Sequence, residues 1–177
     1  MGIEIERKFL VNGTAWQARV TRQIRMAQAY LNDLQMVESG ALRSSVRVRI
    51  EDDRAFLNIK SAQRGAARQE FEYEIPCSDA RDLLKLCVGG VVEKTRHWVE
   101  HDGFRWEIDE FGGDNAGLIV AEIELPSEDT AFDLPEWAGV EVTQHLRYYN
   151  LALAEYPFRQ WTEQERSGPQ IGAVDAC

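Results

Sequence analysis

Charged and apolar residues alternate with a period of two along most of this chain, and this alternation constrains the fold more than any other feature. It is clearest in the segments EIERKFLV at 4–11, SVRVRI at 45–50, QEFEYEI at 69–75, RWEIDEF at 105–111 and VAEIEL at 120–125. Side chains two apart on a β-strand project from the same face, so each segment has one apolar and one ionic face. The sequence therefore predicts a protein built mainly of antiparallel β-strands.

In chain order, the alternating segments predict eight strands and few helices. Helices are predicted over three segments, residues 14–23, 78–87 and 143–158. Ser78 is the expected N-cap of the second helix, and Gly89 and Gly90 are expected to end it. Residues 37–44 and 127–140 show little periodicity and are predicted to be loops. At 177 residues the chain is expected to form one domain with a β-rich α+β fold, either an antiparallel barrel or a sandwich.

Composition excludes several classes of function. The formal net charge of −10 disfavours nucleic acid as a partner, because nucleic-acid-binding proteins carry a basic excess. No apolar run approaches the ~20 residues that span a bilayer, so no membrane partner is expected. The three cysteines lack a CxxC spacing, which signals neither a disulfide framework nor a zinc site. Together with an N-terminus unlike a signal peptide, this predicts a cytoplasmic protein.

The ionic faces are sorted by sign from one strand to the next. The basic strands carry Arg47, Arg49, Lys60, Lys94 and Arg96, and the acidic strands carry Glu70, Glu72, Glu74, Glu107, Asp109, Glu122 and Glu124. The first strand carries both signs, with Glu4, Glu6 and Lys8. A solvated sheet face is the simplest interpretation of any one pair. The full set favours a lined cavity, because like charges set side by side on a wet sheet repel each other.

The charges indicate the ligand of such a cavity. Guanidinium and ammonium groups bind phosphate oxygens, and this many cations indicate several phosphates in a row. The carboxylates would repel that ligand unless a divalent metal stood between them. Mg²⁺ and Mn²⁺ take oxygen ligands and bridge carboxylates to substrate phosphates. The residues therefore predict a polyphosphate with Mg²⁺ or Mn²⁺ inside a closed barrel.

The segment EIERK resembles the ExExK signature of the CYTH family, also called triphosphate tunnel metalloenzymes. The resemblance continues in order through VRVRI, NIKS, EFEYEIP, EKTRHW, WEIDEF, AEIELP and EVTQHLRYYN. It implies a closed eight-stranded antiparallel β-barrel, the triphosphate tunnel, with helices packed outside. It also implies that residues 1–155 form the tunnel domain and that residues 156–177 are a C-terminal extension, partly frayed.

The resemblance also implies roles for individual residues. The metal ligands would be Glu4, Glu6 and Glu124. The phosphate-binding residues would be Lys8, Arg47, Arg49, Lys60, Lys94 and Arg96. The carboxylates Glu72, Asp109 and Glu122 would support the site or position the attacking water, with Lys94 also in a catalytic role. Tyr30 resembles a tyrosine at the tunnel mouth.

By resemblance, the chain is a metal-dependent hydrolase that cleaves triphosphates, above all inorganic tripolyphosphate, to pyrophosphate and orthophosphate. Three alternatives stay open: a class IV adenylate cyclase that makes cyclic AMP from ATP, a thiamine triphosphatase, and a polyphosphate-binding module without catalysis. The many carboxylates argue against the last, because a pure anion binder gains nothing from them. The partner in each case is a small-molecule triphosphate. The outer faces leave the oligomeric state open, with a homodimer as one alternative.

Overall fold

A computed structural model describes residues 2–62 and 67–169, with the side chains of residues 2–4, 67 and 68 left outside the description. This part of the chain contains nine strands: β1 (Gly2–Val11), β2 (Val20–Tyr30), β3 (Ser44–Glu51), β4 (Arg54–Ser61), β5 (Ala67–Ile75), β6 (Val88–His101), β7 (Phe104–Phe111), β8 (Ile119–Glu124) and β9 (Ala138–Glu141). It also contains the helices α1 (Leu34–Glu38), α2 (Cys77–Leu84), α3 (Asn150–Glu155) and α4 (Glu163–Arg166), with 3₁₀ turns at Ala15–Arg19, Gly113–Asn115, Leu146–Tyr148 and Phe158–Gln160. The β-rich class predicted from the alternation is confirmed.

All nine strands belong to one antiparallel sheet. Their order is β5-β4-β3-β2-β6-β7-β8-β1-β9, and β5 also pairs with β1. That further pairing joins Gly2 to Glu70 and Ile5 to Ala67, while the remainder of β1 pairs with β8 and β9. The prediction of eight strands was wrong by one, since β9 lies in the segment 127–140 that was predicted to be a loop. Its four residues are too few to show a period of two.

Two hairpins hold neighbouring strands in register through two-residue turns. Asp52 and Asp53 join β3 to β4, and Asp102 and Gly103 join β6 to β7. Asp52 and Asp102 have φ angles of 48° and 50°, in the left-handed region that aspartate tolerates better than most residues. Turns of this kind match the right-handed twist of the flanking strands. The turn predicted at residues 101–103 is therefore confirmed.

The outer face of β1, β7 and β8 is covered by an aromatic cluster. Phe9, Trp106 and Trp137 are almost fully buried there, and Trp106 packs edge-on against Trp137 with ring centroids 5.2 Å apart. Phe132, from the segment before β9, packs against the Trp106 ring at 5.8 Å. Over β3 and β4, helix α2 packs against the same outer face through Ala80. The apolar faces of these strands are thus covered on the outside of the concave ionic face.

The concave face itself changes character along the strands. Val92, Phe111 and Val120 have the same side-chain parity as the ionic residues of β6, β7 and β8, yet they form one buried apolar cluster. Helix α3 adds Leu151 and Leu153 to this cluster. The concave space is therefore filled and apolar at one end and ionic beyond it.

Helix boundaries differ from the sequence predictions at several places. The helix predicted over residues 14–23 is a 3₁₀ turn at Ala15–Arg19, and residues 20–23 already belong to β2. Helix α2 begins at Cys77 after Pro76, so Ser78 lies inside the helix and does not cap it. Gly89 lies in β6 instead of ending α2, and a Cβ there would come within 3.0 Å of the Ala154 carbonyl oxygen. Glycine at this position therefore allows α3 to approach the sheet closely, which is a requirement of tertiary packing. Helix α1 falls in the segment 37–44 and just before it, where no helix was predicted.

The long helix predicted over residues 143–158 is interrupted. Tyr149 has extended backbone angles between the 3₁₀ turn at Leu146–Tyr148 and α3. Its hydroxyl turns back and donates a 2.8 Å hydrogen bond to the carbonyl of Thr143. A local tertiary contact therefore outweighs the helical pattern at this position.

The C-terminal segment packs on the apolar end of the sheet as far as residue 169. Trp161 is 4% exposed, with its ring 5.2 Å from that of Tyr148. Thr162 and Glu165 form a reciprocal capping box at the start of α4. Of the predicted C-terminal extension, residues 170–177 lie outside the described residues. No helix in the described ranges has the length and apolarity to cross a bilayer.

We expect Trp161→Ala to lower the free energy of unfolding by about 3–5 kcal/mol, because it removes a large buried ring from the cluster around Tyr148. Urea unfolding monitored by circular dichroism measures this change. Leu134→Ala is the matched control, since Leu134 is 56% exposed and should change stability by less than about 0.5 kcal/mol. Equal effects of the two substitutions would mean that the C-terminal segment does not belong to the core.

Candidate active site

A cavity of about 490 Å³ lies on the concave ionic face, within the range of small-molecule sites. Strands supply most of its wall, and α1 and α3 contribute at one end. Five cations line it: Lys8, Arg47, Arg49, Lys60 and Arg96. Seven carboxylates also line it: Glu6, Glu38, Glu70, Glu72, Glu107, Glu122 and Glu124. The described lining thus carries a formal charge of −2, as five positive and seven negative groups, so a polyanion would need added positive charge to bind there.

Lys8 is the central cation of the wall formed by β1 and β8. It is buried, and its ammonium group contacts the carboxylates of both Glu6 and Glu122. The register of the strands causes this, because Lys8 lies directly opposite Glu122 and Glu6 lies two residues earlier on the same face. The ring of Tyr149, the residue just before α3, packs on Lys8, with the ammonium nitrogen 5.2 Å from the ring centroid.

Arg96, on β6, connects carboxylates of two other strands, β7 and β8. Its Nε donates a 2.7 Å hydrogen bond to Asp109 Oδ1, and its Nη2 donates one of 2.7 Å to Asp109 Oδ2. The same Nη2 also donates a 2.7 Å hydrogen bond to Glu122. Its Nη1 contacts Glu107, which also accepts a 3.0 Å hydrogen bond from the indole of Trp98. A planar guanidinium suits this arrangement because its donors form a rigid fork.

The opposite wall is formed by β3, β4 and β5. Arg49 Nη2 donates a 2.8 Å hydrogen bond to Glu72, and Lys60 lies 3.1 Å from Glu70. Arg47 is more weakly paired, with Nη2 3.6 Å from Glu70, and its buried Nε has no hydrogen-bond acceptor in the ranges described. This wall therefore holds guanidinium donors that an oxyanion could satisfy.

The charges of the network shift its pKa values in opposite directions. Burial alone would lower the pKa of Lys8, but the carboxylates of Glu122 and Glu6 outweigh burial and raise it. Burial and the nearby Arg96 lower the pKa of Lys94 to about 8, despite the attraction of Asp109. Burial also lowers the pKa of Arg49, and the adjacent Arg47 lowers it further.

The two buried carboxyls behave alike. Burial by itself would raise the pKa of Glu122, yet Lys8, Arg96 and Lys94 together hold it well below the usual range. The pKa of Asp109 is lowered in the same way, against burial, by Arg96 and Lys94. Both groups are therefore ionised at neutral pH and accept hydrogen bonds only.

A divalent cation fits the carboxylate end of the cavity. Glu6 and Glu124 lie directly opposite each other in the pairing of β1 and β8, where like charges repel, and the Lys8 ammonium contacts Glu6. Their oxygens are the ligands that Mg²⁺ and Mn²⁺ prefer. Among the described side chains, no three carboxylate, histidine or cysteine groups already converge as ligands. Glu4, the third predicted ligand, has its side chain outside the description.

Most of the predicted site residues are brought together. Tyr30, predicted at the tunnel mouth, lines the cavity and is also buried in the apolar cluster, where its hydroxyl accepts a 3.3 Å hydrogen bond from Gln28. Lys94 and Asp109 are different, because both are buried behind Arg96 and neither is part of the described cavity lining. The burial of Lys94 outside the cavity lining therefore does not favour its direct contact with phosphate.

A family model for the CYTH domain matches residues 2–155. The chain belongs to the CYTH domain family. The resemblance drawn from EIERK and the motifs that follow it is confirmed.

Curated relatives of this CYTH protein have names that specify a reaction. The inorganic triphosphatase of Acetivibrio thermocellus is 41% identical over 164 residues, which cover 92% of this chain and 100% of that protein. The inorganic triphosphatase of Nitrosomonas europaea is 36% identical over 154 residues, covering 85% and 96%. A crystal structure of an inorganic triphosphatase is 34% identical with a TM-score of 0.60, covering 87% of this chain and 95% of that chain.

Several lining residues of this CYTH protein were missed by sequence reasoning. They come from α1, from the segment before α3 and from the first two residues of α3, and they are Leu34, Val37, Glu38, Leu146, Tyr149, Asn150 and Leu151. Strand alternation cannot identify them, because they reach the cavity from outside the sheet. Glu70 and Glu107 follow the alternation and line the cavity, although the resemblance gave them no role.

We expect the free energy of unfolding to fall as the pH is lowered below about 4.5. The folded-state pKa values of Asp109 and Glu122 lie below those of the unfolded chain, so the unfolded state takes up more protons there. The stabilisation is therefore fully present above that pH and is lost as the pH falls. Urea unfolding between pH 7 and pH 3 measures the slope.

Glu122→Gln should flatten this pH dependence, because it removes one of the two carboxyls with a lowered pKa. Glu100→Gln is the control, since Glu100 is exposed on the outer end of β6 and should keep the wild-type slope. If Glu122→Gln retained the full slope, the buried network would not be the source of the acid sensitivity.

Proposed function

We propose that this protein is a metal-dependent triphosphatase that hydrolyses inorganic tripolyphosphate to pyrophosphate and orthophosphate. The observation that carries the proposal is the cavity itself, lined by five cations and seven carboxylates within the residues that match the CYTH family model. The names of its relatives, inorganic triphosphatases at 41% and 36% identity, support the same reaction.

We further propose that eight strands close into a tunnel. The pairing of Gly2–Ile5 with Ala67–Glu70 supports closure, since it joins the first and last strands of the order β5-β4-β3-β2-β6-β7-β8-β1. Strand β9 then lies outside the ring as an extra partner of β1. Closure explains how charges on β3–β5 can face charges on β1 and β6–β8 across one cavity.

The substrate would bind between the two walls. Arg47, Arg49 and Lys60 would contact phosphate oxygens from one side, and Lys8 and Arg96 from the other. The Arg47 side chain is buried and that of Arg49 is only 13% exposed, so their interaction with an oxyanion is weakly screened. Cations fixed in advance on both sides of the chain stabilise charge that develops on the transferred phosphoryl group.

The metal would be Mg²⁺ or Mn²⁺, held by Glu6 and Glu124 with Glu4 as the expected third ligand. When bound, it would neutralise phosphate charge and polarise the bond that breaks. The excess of carboxylates over cations in the cavity supports this requirement, since tripolyphosphate alone would be repelled by the lining.

Of the two lining carboxylates predicted to position water, Glu72 is the better candidate. Its side chain is 42% exposed, whereas that of Glu122 is 9% exposed and already contacts Lys8 and Arg96. Arg49 and Asn58 donate hydrogen bonds of 2.8 Å and 2.6 Å to Glu72 Oε2 and so orient its carboxylate. Glu72 would therefore orient the attacking water, and Glu122 would hold the cations in place.

The purified protein should release orthophosphate from tripolyphosphate with Mg²⁺ or Mn²⁺ and should lose this activity in the presence of a chelator. Incubation with tripolyphosphate, ATP and pyrophosphate, followed by assays for orthophosphate and cyclic AMP, tests the proposal. Cyclic AMP from ATP would assign a cyclase instead. Tight tripolyphosphate binding without orthophosphate would leave a binding module.

Glu6→Gln should reduce orthophosphate release about 100-fold or more, because it removes a metal-binding oxygen and leaves the metal poorly held. A tenfold higher concentration of Mn²⁺ should restore part of the rate if Glu6 is a metal ligand. Glu100→Gln, on the exposed end of β6, should keep the wild-type rate. A Glu6→Gln variant with full activity at limiting metal would contradict the assignment.

A further inference from the structure

A pair of buried charges lies next to the cavity lining without being part of it. Asp109 is 0% exposed and Lys94 is 5% exposed, and they form an ion pair with each other. Neither residue belongs to the described lining of the cavity. Removing two ions from water costs several kcal/mol each, and a buried ion pair seldom returns more stability than an apolar pair would. This pair therefore calls for a role other than stability.

Asp109 contacts the cavity only through Arg96. Its two oxygens accept 2.7 Å hydrogen bonds from Arg96 Nε and Nη2, which is the two-pronged geometry of a matched carboxylate and guanidinium. Arg96 and Asp109 are also direct cross-strand partners of β6 and β7. The remaining contacts of Arg96 are with Glu107 and Glu122, which do line the cavity.

Lys94 completes the arrangement from the apolar side. Its ammonium contacts Asp109 Oδ2, and its nitrogen lies 5.7 Å from the centre of the Phe111 ring. Lys94 sits two residues before Arg96 on the same face of β6, so one carboxylate is shared by two cations. With both oxygens occupied and no exposed surface, Asp109 is not placed to reach a water molecule or a substrate.

We propose that Asp109 and Lys94 are a positioning pair that fixes the plane of the Arg96 guanidinium for the transferring phosphoryl group and acts on the reaction only through Arg96. This inference rests on the proposed triphosphatase function. Without its two hydrogen bonds to Asp109, the Arg96 side chain would be held by the cavity carboxylates alone. Those carboxylates must also accommodate substrate and metal. Asp109 thus supplies orientation that does not compete with the ligand.

A double-mutant cycle tests whether Asp109 works through Arg96. The variants are Asp109→Asn, Arg96→Lys and the double variant, with Glu110→Gln as the control, since Glu110 is adjacent to Asp109 but exposed on the opposite face of β7. Arg96→Lys should reduce kcat for tripolyphosphate about 100-fold, and Asp109→Asn about 10-fold or more, with smaller changes in KM. In the Arg96→Lys background, Asp109→Asn should lower kcat by less than about threefold. Glu110→Gln should keep the wild-type kcat.

Two results would overturn the proposal. If Asp109→Asn reduced kcat by the same factor in both backgrounds, Asp109 would act independently of Arg96. If it lowered the thermal unfolding temperature and left kcat unchanged, its role would be structural. If the Asp109→Asn variant fails to fold, the cycle is repeated in a Lys94→Met background. There, Asp109→Asn does not leave the Lys94 ammonium buried without its partner.

A binding measurement separates this test from the test of the proposed function. If the wild type bound tripolyphosphate but released no orthophosphate, the triphosphatase proposal would fail, and the same cycle would be measured as Kd by calorimetry. Coupling between the two substitutions in Kd would support the positioning role, and additive losses would refute it. If the wild type bound no tripolyphosphate, both proposals would fail.

Discussion

Opposite charges confined to one concave face are the constraint on which this structure depends. A charged group withdrawn from water must find a partner, and here the partners lie on the same strand or on strands one or two places away in the sheet. Lys8 meets Glu122, and Arg96 meets Asp109, because antiparallel pairing places them directly opposite each other. Strand register is thus fixed by electrostatics inside the cavity as well as by apolar packing outside it, since a slip of one residue would invert both faces.

The two ends of the concave face have different tasks. At one end Val92, Phe111 and Val120 meet α3 and fill the space with apolar side chains. Further along the same strands the residues are ionic, and the cavity opens between them. The apolar end supplies a rigid base that water does not enter, which strengthens electrostatic interactions next to it. Lys94 lies at the boundary, which accounts for its lowered pKa of about 8.

Much of the site could be predicted from the sequence because the period of two identifies which residues share a face. The cations Lys8, Arg47, Arg49, Lys60 and Arg96 were predicted in this way, and all line the cavity. The same rule cannot distinguish a residue that faces the cavity from one buried beneath it. Asp109 and Arg96 both follow the alternation of their strands, yet only Arg96 lines the cavity. The apolar cluster around α3 determines where along the strands the open space begins.

The sequence by itself determined the class of fold, the sorting of charges by sign and the likeness to the CYTH family, since these depend on local spacing and residue chemistry. Tertiary structure alone decided the position of β9, the interruption of the helix at Tyr149, the lining contributed by α1 and the burial of Asp109. Three of these depend on contacts between segments far apart in the chain, and the interruption at Tyr149 depends on a side-chain hydrogen bond to Thr143, six residues earlier. Local periodicity carries no information about such contacts, and packing overrides it wherever a distant group offers a better partner.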